Sequence, residues 1–326
     1  MNRRTLIAAL GGTAVFGPSV AQTPPRARLG YLSGGMKGDD ASLNTIGVLQ
    51  ESLSQLGWRI GDTLEIDESW AGGDFGRLPR LAGELVAKKP NVIVATGATE
   101  TVALRAATQS IPIVFMQIST DPVSLGLVKS IARPGGNITG FMQGPQVLWA
   151  KRIELLTELV SRPLRHLAWL GNPGNASSEA SWADARDAAG KFGNELSRFN
   201  VSSADDIDRA FSGLKGSDAL LVQYDFLLSI ERRRVAALAA QLRLPAVYEN
   251  RMQTLAGGLM SYGGDLRENY RQGASYVHRV LNGTSVGDLP VVQASRFELV
   301  INIPTAKALG LTVPESLIAR ADEVIE

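Results

Sequence analysis

The sequence predicts an α/β protein made of two doubly wound lobes, each a parallel sheet between layers of helices, joined by a multi-strand hinge. Three observations lead to this prediction. Short apolar runs alternate along the chain with longer segments of helical periodicity, as in parallel βαβ folds. The apolar runs lack a polar face, which indicates strands buried on both sides. The alternation restarts after Gly140, so the chain holds two arrays of similar size.

The first array begins with a strand at 28–32 that runs into the loop Ser33-Gly34-Gly35. Alternation of apolar and polar residues predicts a strand at 64–66, and apolar runs predict strands at 92–95 and 111–118. Apolar residues at helical spacing predict helices between the strands, at 44–56, 78–87 and 101–108. Glycine or proline lies just beyond some of these helices and ends them, as at Gly57 and Pro90.

The second array repeats the pattern. Its predicted strands lie at 167–170, 195–201, 219–222 and 246–249. Its predicted helices lie at 147–160, 178–192, 205–214 and 230–242. The last of these helices contains three successive arginines, Arg232 to Arg234, which we expect on its solvated face.

The last part of the chain is too short for a third lobe. It contains a predicted strand at 259–262, a helix at 266–281 and a strand at 297–303. These elements should therefore complete the two sheets already formed, which requires several crossings between lobes and gives a hinge suited to closure around a ligand. We predict a first lobe of 27–140 with 265–290, and a second lobe of 141–264 with 291–326.

Residues 1–21 have the charged, apolar and small-residue order of a cleaved secretory signal peptide. The sequence predicts cleavage after Ala21 and a mature protein free in the periplasm. The pair Arg3-Arg4 also permits twin-arginine export.

The composition excludes several kinds of site. The chain has 326 residues, no cysteine and two histidines, which removes thiolate chemistry and leaves almost no material for a histidine metal site. A formal charge of +1 argues against nucleic acid as a partner. Gly283 to Gly287 match the nucleophile-elbow pattern around Ser285, but a predicted helix precedes them where that motif needs a strand. We predict no catalytic residue, no metal and no cofactor.

Ligands of open parallel sheets bind beyond the carboxyl ends of the strands. This rule selects fourteen candidate ligand contacts in the two arrays: Ser33, Gly34, Gly35, Gly97, Ala98, Thr99, Asp121, Asn172, Asn175, Tyr224, Asp225, Tyr248, Glu249 and Tyr262. The helix that begins near Thr99 favours a carboxylate at its N-terminus. Asp225 or Glu249 could hold an ammonium group, and the tyrosines could stack on a flat body. The set suits an amino-acid-like ligand.

Each candidate also has a structural interpretation. The glycines suit turns, Thr99 and Asp225 suit helix caps, and Tyr248 and Tyr262 suit packing. Asp121 precedes Pro122 and could set hinge geometry instead of touching a ligand.

Several segments resemble the tryptophan/tyrosine-type group of ABC-transporter substrate-binding proteins, which are periplasmic binding proteins of the type I fold. The resemblance covers essentially the whole predicted mature chain, and its segments lie at 111–115, 121–128, 133–140, 257–263, 297–302 and 305–311. It implies two α/β lobes, an interlobe site for a small-molecule ligand, and delivery to an ABC permease in the inner membrane. The first loop lacks the His-Pro pair of the group's tryptophan binders, so its ligand contacts should differ.

The resemblance and the residues together predict a periplasmic solute-binding protein that closes on an amino-acid-like, possibly aromatic, ligand. We expect a monomer. The alternatives are a periplasmic sensor that presents a metabolite to a membrane receptor, a ligand-sensing regulator of the same fold, and a hydrolase acting through Ser285.

Overall fold

The computed structural model describes residues 26–144 and 148–326. The strands in these residues are, in chain order, β1 (Ala27–Ser33), β2 (Leu64–Trp70), β3 (Val92–Ala95), β4 (Ile113–Ile118), β5 (Ile138–Met142), β6 (His166–Gly171), β7 (Glu195–Asn200), β8 (Ala219–Val222), β9 (Ala246–Tyr248), β10 (Met260–Gly264), β11 (Val292–Gln293), β12 (Phe297–Asn302) and β13 (Glu323–Ile325). The predicted signal peptide lies outside the described residues.

The α-helices of the same residues are α1 (Asp40–Gln55), α2 (Leu78–Ala87), α3 (Ala98–Ala107), α4 (Leu148–Val160), α5 (Ser178–Lys191), α6 (Ala204–Gly213), α7 (Phe226–Ile230), α8 (Arg232–Gln241), α9 (Arg251–Leu255), α10 (Leu266–Leu281), α11 (Ile303–Ala308) and α12 (Glu315–Ile318). None of the helices in the described ranges combines the length and the apolar character that a membrane crossing needs.

The first lobe is a six-stranded sheet in the order β11-β5-β4-β3-β1-β2, in which every pair is parallel. Its strands are buried on both faces because helices cover both. On one face α1 and α10 pack over Leu29, Val94 and Val114. On the other, α2 and α3 pack over Ile93 and its neighbours. The continuous apolar runs of the sequence reflect this double cover.

The second lobe is a seven-stranded sheet in the order β13-β12-β10-β9-β8-β6-β7. Neighbouring strands pair in parallel except β10 and β12, which are antiparallel with Met260 opposite Ile301, so β12 and β13 run opposite to the other five strands. The predicted parallel-sheet lobe is confirmed, and β12 is reversed because of where the chain enters. β10 leaves for the first lobe from the carboxyl end of the sheet, and the chain returns into β12 at that same end, so β12 must run back.

The chain crosses between the sheets after β5, after β10 and after β11. Residues 145–147, in the first crossing, lie outside the described part. The predicted residue boundaries of the lobes remain a prediction. β11 pairs with β5 in the first sheet, although those boundaries placed 291–326 in the second lobe.

β5 was not predicted, because Gly140 was interpreted as the break between the two arrays. In the structure Gly140 lies inside β5 with φ 155°, and a Cβ atom there would overlap the carbonyl oxygen of Phe115 on β4. The glycine is therefore required by close strand packing and not by a turn. The predicted helix at 230–242 corresponds to α8, which begins two residues later at Arg232, because Ile230 ends the short helix α7 that was not predicted.

Candidate functional site

The carboxyl ends of the strands in both sheets face each other across the space between the lobes. Two adjoining cavities lie there. The aromatic cavity is lined by Tyr31, Tyr224, Phe226, Met252 and Tyr270 together with polar groups, and has about 750 Å³ of space free of protein atoms, part of it open to solvent. The polar cavity is lined by Thr99, Glu100, Gln117, Asn175 and Ser177 among others. Gln117, Tyr224 and Phe226 line both cavities.

Several polar contacts join the lobes directly. The backbone N–H of Ala176 donates to Thr99 Oγ1 at 3.0 Å. The side-chain amide of Gln117 donates to the Tyr224 hydroxyl at 3.0 Å. Arg232 Nη1 lies 2.8 Å from Asp39 Oδ1. The lobes are therefore closed on each other.

Arg232 corrects the expectation for the arginine run. Its side chain is only 5% exposed, because it turns inward to pair with Asp39 and to donate to the Ser229 carbonyl oxygen. Arg233 is 79% exposed, as expected, and pairs with Asp40 of the first lobe at 3.6 Å. Arg234 is partly exposed and pairs with Asp208.

The floor of the cleft is built from two glycine loops of the first lobe. A Cβ atom on Gly34 would lie 2.5 Å from the Phe226 ring, and one on Gly97 would lie 2.8 Å from Glu100 Oε2. Gly97 is the N-cap of α3 and has no side chain to cap its first turn. Glu100 accepts from its own backbone N–H in this first turn, so the N–H groups of Ala98 and Thr99 are the ones left at the positive end of the helix for an anion.

Glu100 lies in the first turn of α3 and is 1% exposed. Its Oε1 accepts from the Gly34 N–H at 2.6 Å and from Thr96 Oγ1 at 3.1 Å. Burial, which deprives the charged form of its hydration, and to a smaller extent the nearby Asp225 charge raise the pKa of this carboxyl group to about 7. Sequence reasoning did not select Glu100, because an acidic residue in a first helical turn is ordinarily a surface feature.

Three of the predicted contacts, Asn172, Asn175 and Asp225, come together and bond to one another. Asp225 accepts from Asn172 Nδ2 at 3.2 Å and from Asn175 Nδ2 at 3.1 Å, and it caps α7 through the Leu227 N–H at 2.9 Å. Burial raises the pKa of Asp225. Of the three, Asn175 lines the polar cavity. The Asp225 carboxylate is thus satisfied by protein groups.

Glu249 lines the aromatic cavity but its charge is already matched. Its Oε2 lies 3.2 Å from Arg152 Nη2, both side chains are almost fully buried, and its Oε1 accepts from the Tyr224 N–H at 2.9 Å. Burial lowers the pKa of Arg152, while the Glu249 charge opposes that shift. Arg152 fixes the position of Glu249, and Glu249 in turn orients Tyr224 through the hydrogen bond from its backbone N–H.

The remaining predicted contacts divide clearly. Ser33 and Gly35 line the aromatic cavity, and Gly97, Ala98 and Thr99 line the polar cavity. Three others lie apart from both. Tyr248 is buried in the core of the second lobe, Tyr262 packs beside Phe297 at 6.0 Å, and Asp121 accepts from the Val123 N–H in a turn.

Sequence reasoning missed Gln117, Phe226, Tyr31 and Tyr270. Gln117 is 5% exposed, and its Oε1 has no hydrogen-bond partner in the part of the chain that the structure describes. It was detectable as the one polar residue near the end of an apolar run, 111–118. The aromatic residues carried no such signal, because their burial in a cleft or in a core looks the same in sequence.

A family model described as ABC transporter substrate binding protein matches residues 37–325. The chain belongs to this family. A tyrosine-binding protein of Clostridioides difficile (strain R20291) is 29% identical over 262 residues, which is 80% of this chain and 75% of the relative. Proteins of the family are substrate-binding proteins and not enzymes. Ser285 accords with this, since it lies in a turn between α10 and β11 and follows no strand.

Solved structures agree with the family and the fold. An ABC domain from Streptococcus pneumonia in complex with L-Trp is 25% identical, with a TM-score of 0.85, 92% of this chain covered and 100% of that chain. A conserved domain protein from Vibrio cholerae is 28% identical, with a TM-score of 0.85, 91% of this chain covered and 99% of that chain. The two-lobed architecture of this substrate-binding protein is therefore that of type I periplasmic binding proteins.

Proposed function

We propose that this substrate-binding protein captures an amino acid with an aromatic side chain in the periplasm and delivers it to an ABC permease in the inner membrane. The observation that carries the proposal is the adjoining pair of cavities. One offers helix amides and polar side chains, and the other offers aromatic rings. An aromatic amino acid has the same two halves. The tyrosine-binding relative and the structure bound to L-Trp support this ligand class.

In the proposed complex the ligand carboxylate lies at the N-terminus of α3, where the helix dipole and the Thr99 hydroxyl favour an anion. The side chain occupies the aromatic cavity. Tyr31, Phe226 and Tyr270 supply ring edges and faces, and each aromatic pair contributes about 0.5–1.5 kcal/mol beyond the area it buries.

Capture works by lobe closure. Thr99, Gln117 and Asp39 in the first lobe each reach a partner in the second lobe, namely Ala176, Tyr224 and Arg232. A ligand that touches both lobes favours the closed state by the difference between its affinities for the closed and open states. No covalent step is required.

A calorimetric titration of the purified protein tests the ligand class. We expect L-tryptophan or L-tyrosine to bind, and L-alanine, which cannot fill the aromatic cavity, to bind at least about tenfold more weakly, because burying an aromatic side chain contributes about 1.5–3 kcal/mol. Phe226→Ala should remove most of the affinity, whereas Asp121→Asn, outside both cavities, should leave it unchanged. Absence of binding by every aromatic amino acid would overturn the proposal.

Delivery is tested separately from capture. Cells that lack this protein should lose uptake of the radiolabelled ligand, and uptake should return when the protein is restored. If capture holds but uptake is unaffected, the protein acts as a periplasmic sensor and not in import.

A further inference from the structure

The closed cleft contains two buried carboxylates without a cation. Glu100 and Asp225 are 1% and 0% exposed, and within residues 26–144 and 148–326 neither forms an ion pair with lysine, arginine or histidine. The other buried acids of the cleft are neutralised, Glu249 by Arg152 and Asp39 by Arg232. A buried charge without a partner costs several kcal/mol, and a bound positive group would offset that cost.

The two carboxylates differ in how far they are satisfied. Asp225 accepts from two side-chain amides and from the N–H groups of Leu227 and Leu228, and it lines neither cavity. Glu100 lines the polar cavity. It accepts from the Gly34 N–H and the Thr96 hydroxyl at Oε1, and from its own backbone N–H. Glu100 is therefore the carboxylate that a ligand can reach.

Gln117 indicates independently that the cleft receives a hydrogen-bond donor from a ligand. It lines both cavities beside Tyr224, is almost fully buried, and its Oε1 accepts no hydrogen bond in the described part of the chain. A buried carbonyl oxygen without a donor costs about 1–3 kcal/mol. An ammonium group carries three donors and would satisfy this oxygen together with the Glu100 carboxylate.

We propose that Glu100, assisted by Gln117, recognises the ligand's ammonium group and so makes the protein specific for amines over the corresponding carboxylic acids without an amino group. This inference rests on the proposed function and deepens it. The ammonium group lies against Glu100 in the polar cavity, and the aromatic body extends past Phe226 into the aromatic cavity.

The proposal has a pH dependence, because only the ionised carboxylate attracts an ammonium group. The titratable groups that face Glu100 are Asp225, Tyr31 and Tyr224. Burial raises the pKa of both tyrosines, so they stay neutral near pH 7, and burial raises that of Glu100 to about 7. Affinity for the amino acid should therefore fall by up to about tenfold per pH unit below pH 7.

The test compares wild type with Glu100→Gln by calorimetry, using whichever of L-tryptophan and L-tyrosine binds the wild type more tightly, and its analogue without the amino group. In wild type the analogue should bind about 10–100-fold more weakly, the range for one charged hydrogen bond. In Glu100→Gln the affinity for the amino acid should fall by the same factor, so that the two compounds bind equally well. The affinity should also depend less on pH than it does in wild type.

Thermal melting checks that Glu100→Gln is folded. Asp121→Asn is the control, because it removes an acid that lies outside both cavities. If wild type binds the amino acid and Glu100→Gln binds it equally well with the same pH profile, the inference is wrong while the proposed function stands. If wild type binds no aromatic amino acid, the proposed function itself fails.

Discussion

At the scale of single residues, Glu100 combines a cost in stability with a proposed role in binding. Its pKa is raised to about 7 in the folded protein by burial, from an ordinary value of 4.5. The folded state therefore binds the proton more tightly than the unfolded state does. The stability that this adds is fully present below pH 4.5 and is lost as the pH rises through 7.

This linkage gives a prediction for the ligand-free protein. The glutamine in Glu100→Gln does not titrate. The free energy of unfolding of the variant, relative to that of wild type, should therefore be about 2–3 kcal/mol higher at pH 8 than at pH 5. Urea unfolding of both proteins at the two pH values measures the difference. An equal gain at both pH values would show that the carboxyl group is not perturbed in the folded state.

At the scale of secondary-structure elements, most strands and helices follow from the sequence because burial on both faces leaves an unmistakable apolar run. β5 was missed for a local reason. Glycine is typical of turns, but Gly140 lies inside β5, where the Phe115 carbonyl oxygen leaves no room for a Cβ atom. This close contact depends on how the two strands pair, and the residue pattern does not show it.

Gly140→Ala should accordingly destabilise the protein by about 2 kcal/mol or more, since it adds an atom where none fits and strains a backbone with positive φ. Gly47→Ala is the matched control. Gly47 lies in α1 with open space around its Cα atom, so alanine there should stabilise by up to about 1 kcal/mol. Thermal melting of both variants checks the opposite signs, and a harmless Gly140→Ala would contradict the packing of β5 on β4.

At the scale of the whole molecule, the candidate site depends on how two lobes meet. The sequence placed Thr99 and Asn175 at strand ends, and the structure brings both to one cavity. It could not show that Asp225 would be satisfied by Asn172 and Asn175, or that Glu100 would have no cation. Such facts are set by contacts between residues 50 or more positions apart, and periodicity does not record them.

The ion pair between Arg232 and Asp39 joins the lobes without Arg232 lining either cavity. Arg232→Met should therefore weaken ligand affinity about five- to tenfold by destabilising the closed state, with no loss of a ligand contact. Arg233 also pairs across the lobes, with Asp40 at 3.6 Å, but both side chains are exposed (79% and 67%), so Arg233→Met should change affinity little. Calorimetry on both variants measures the effect, and equal affinities for the two would remove Arg232 from lobe closure.

Small-angle X-ray scattering of the purified protein, with and without a saturating aromatic amino acid, tests lobe closure most directly. We predict a smaller radius of gyration with ligand, and a scattering profile that matches the closed arrangement in which Thr99 meets Ala176 and Gln117 meets Tyr224. Identical profiles under conditions where calorimetry shows full occupancy would contradict capture by closure.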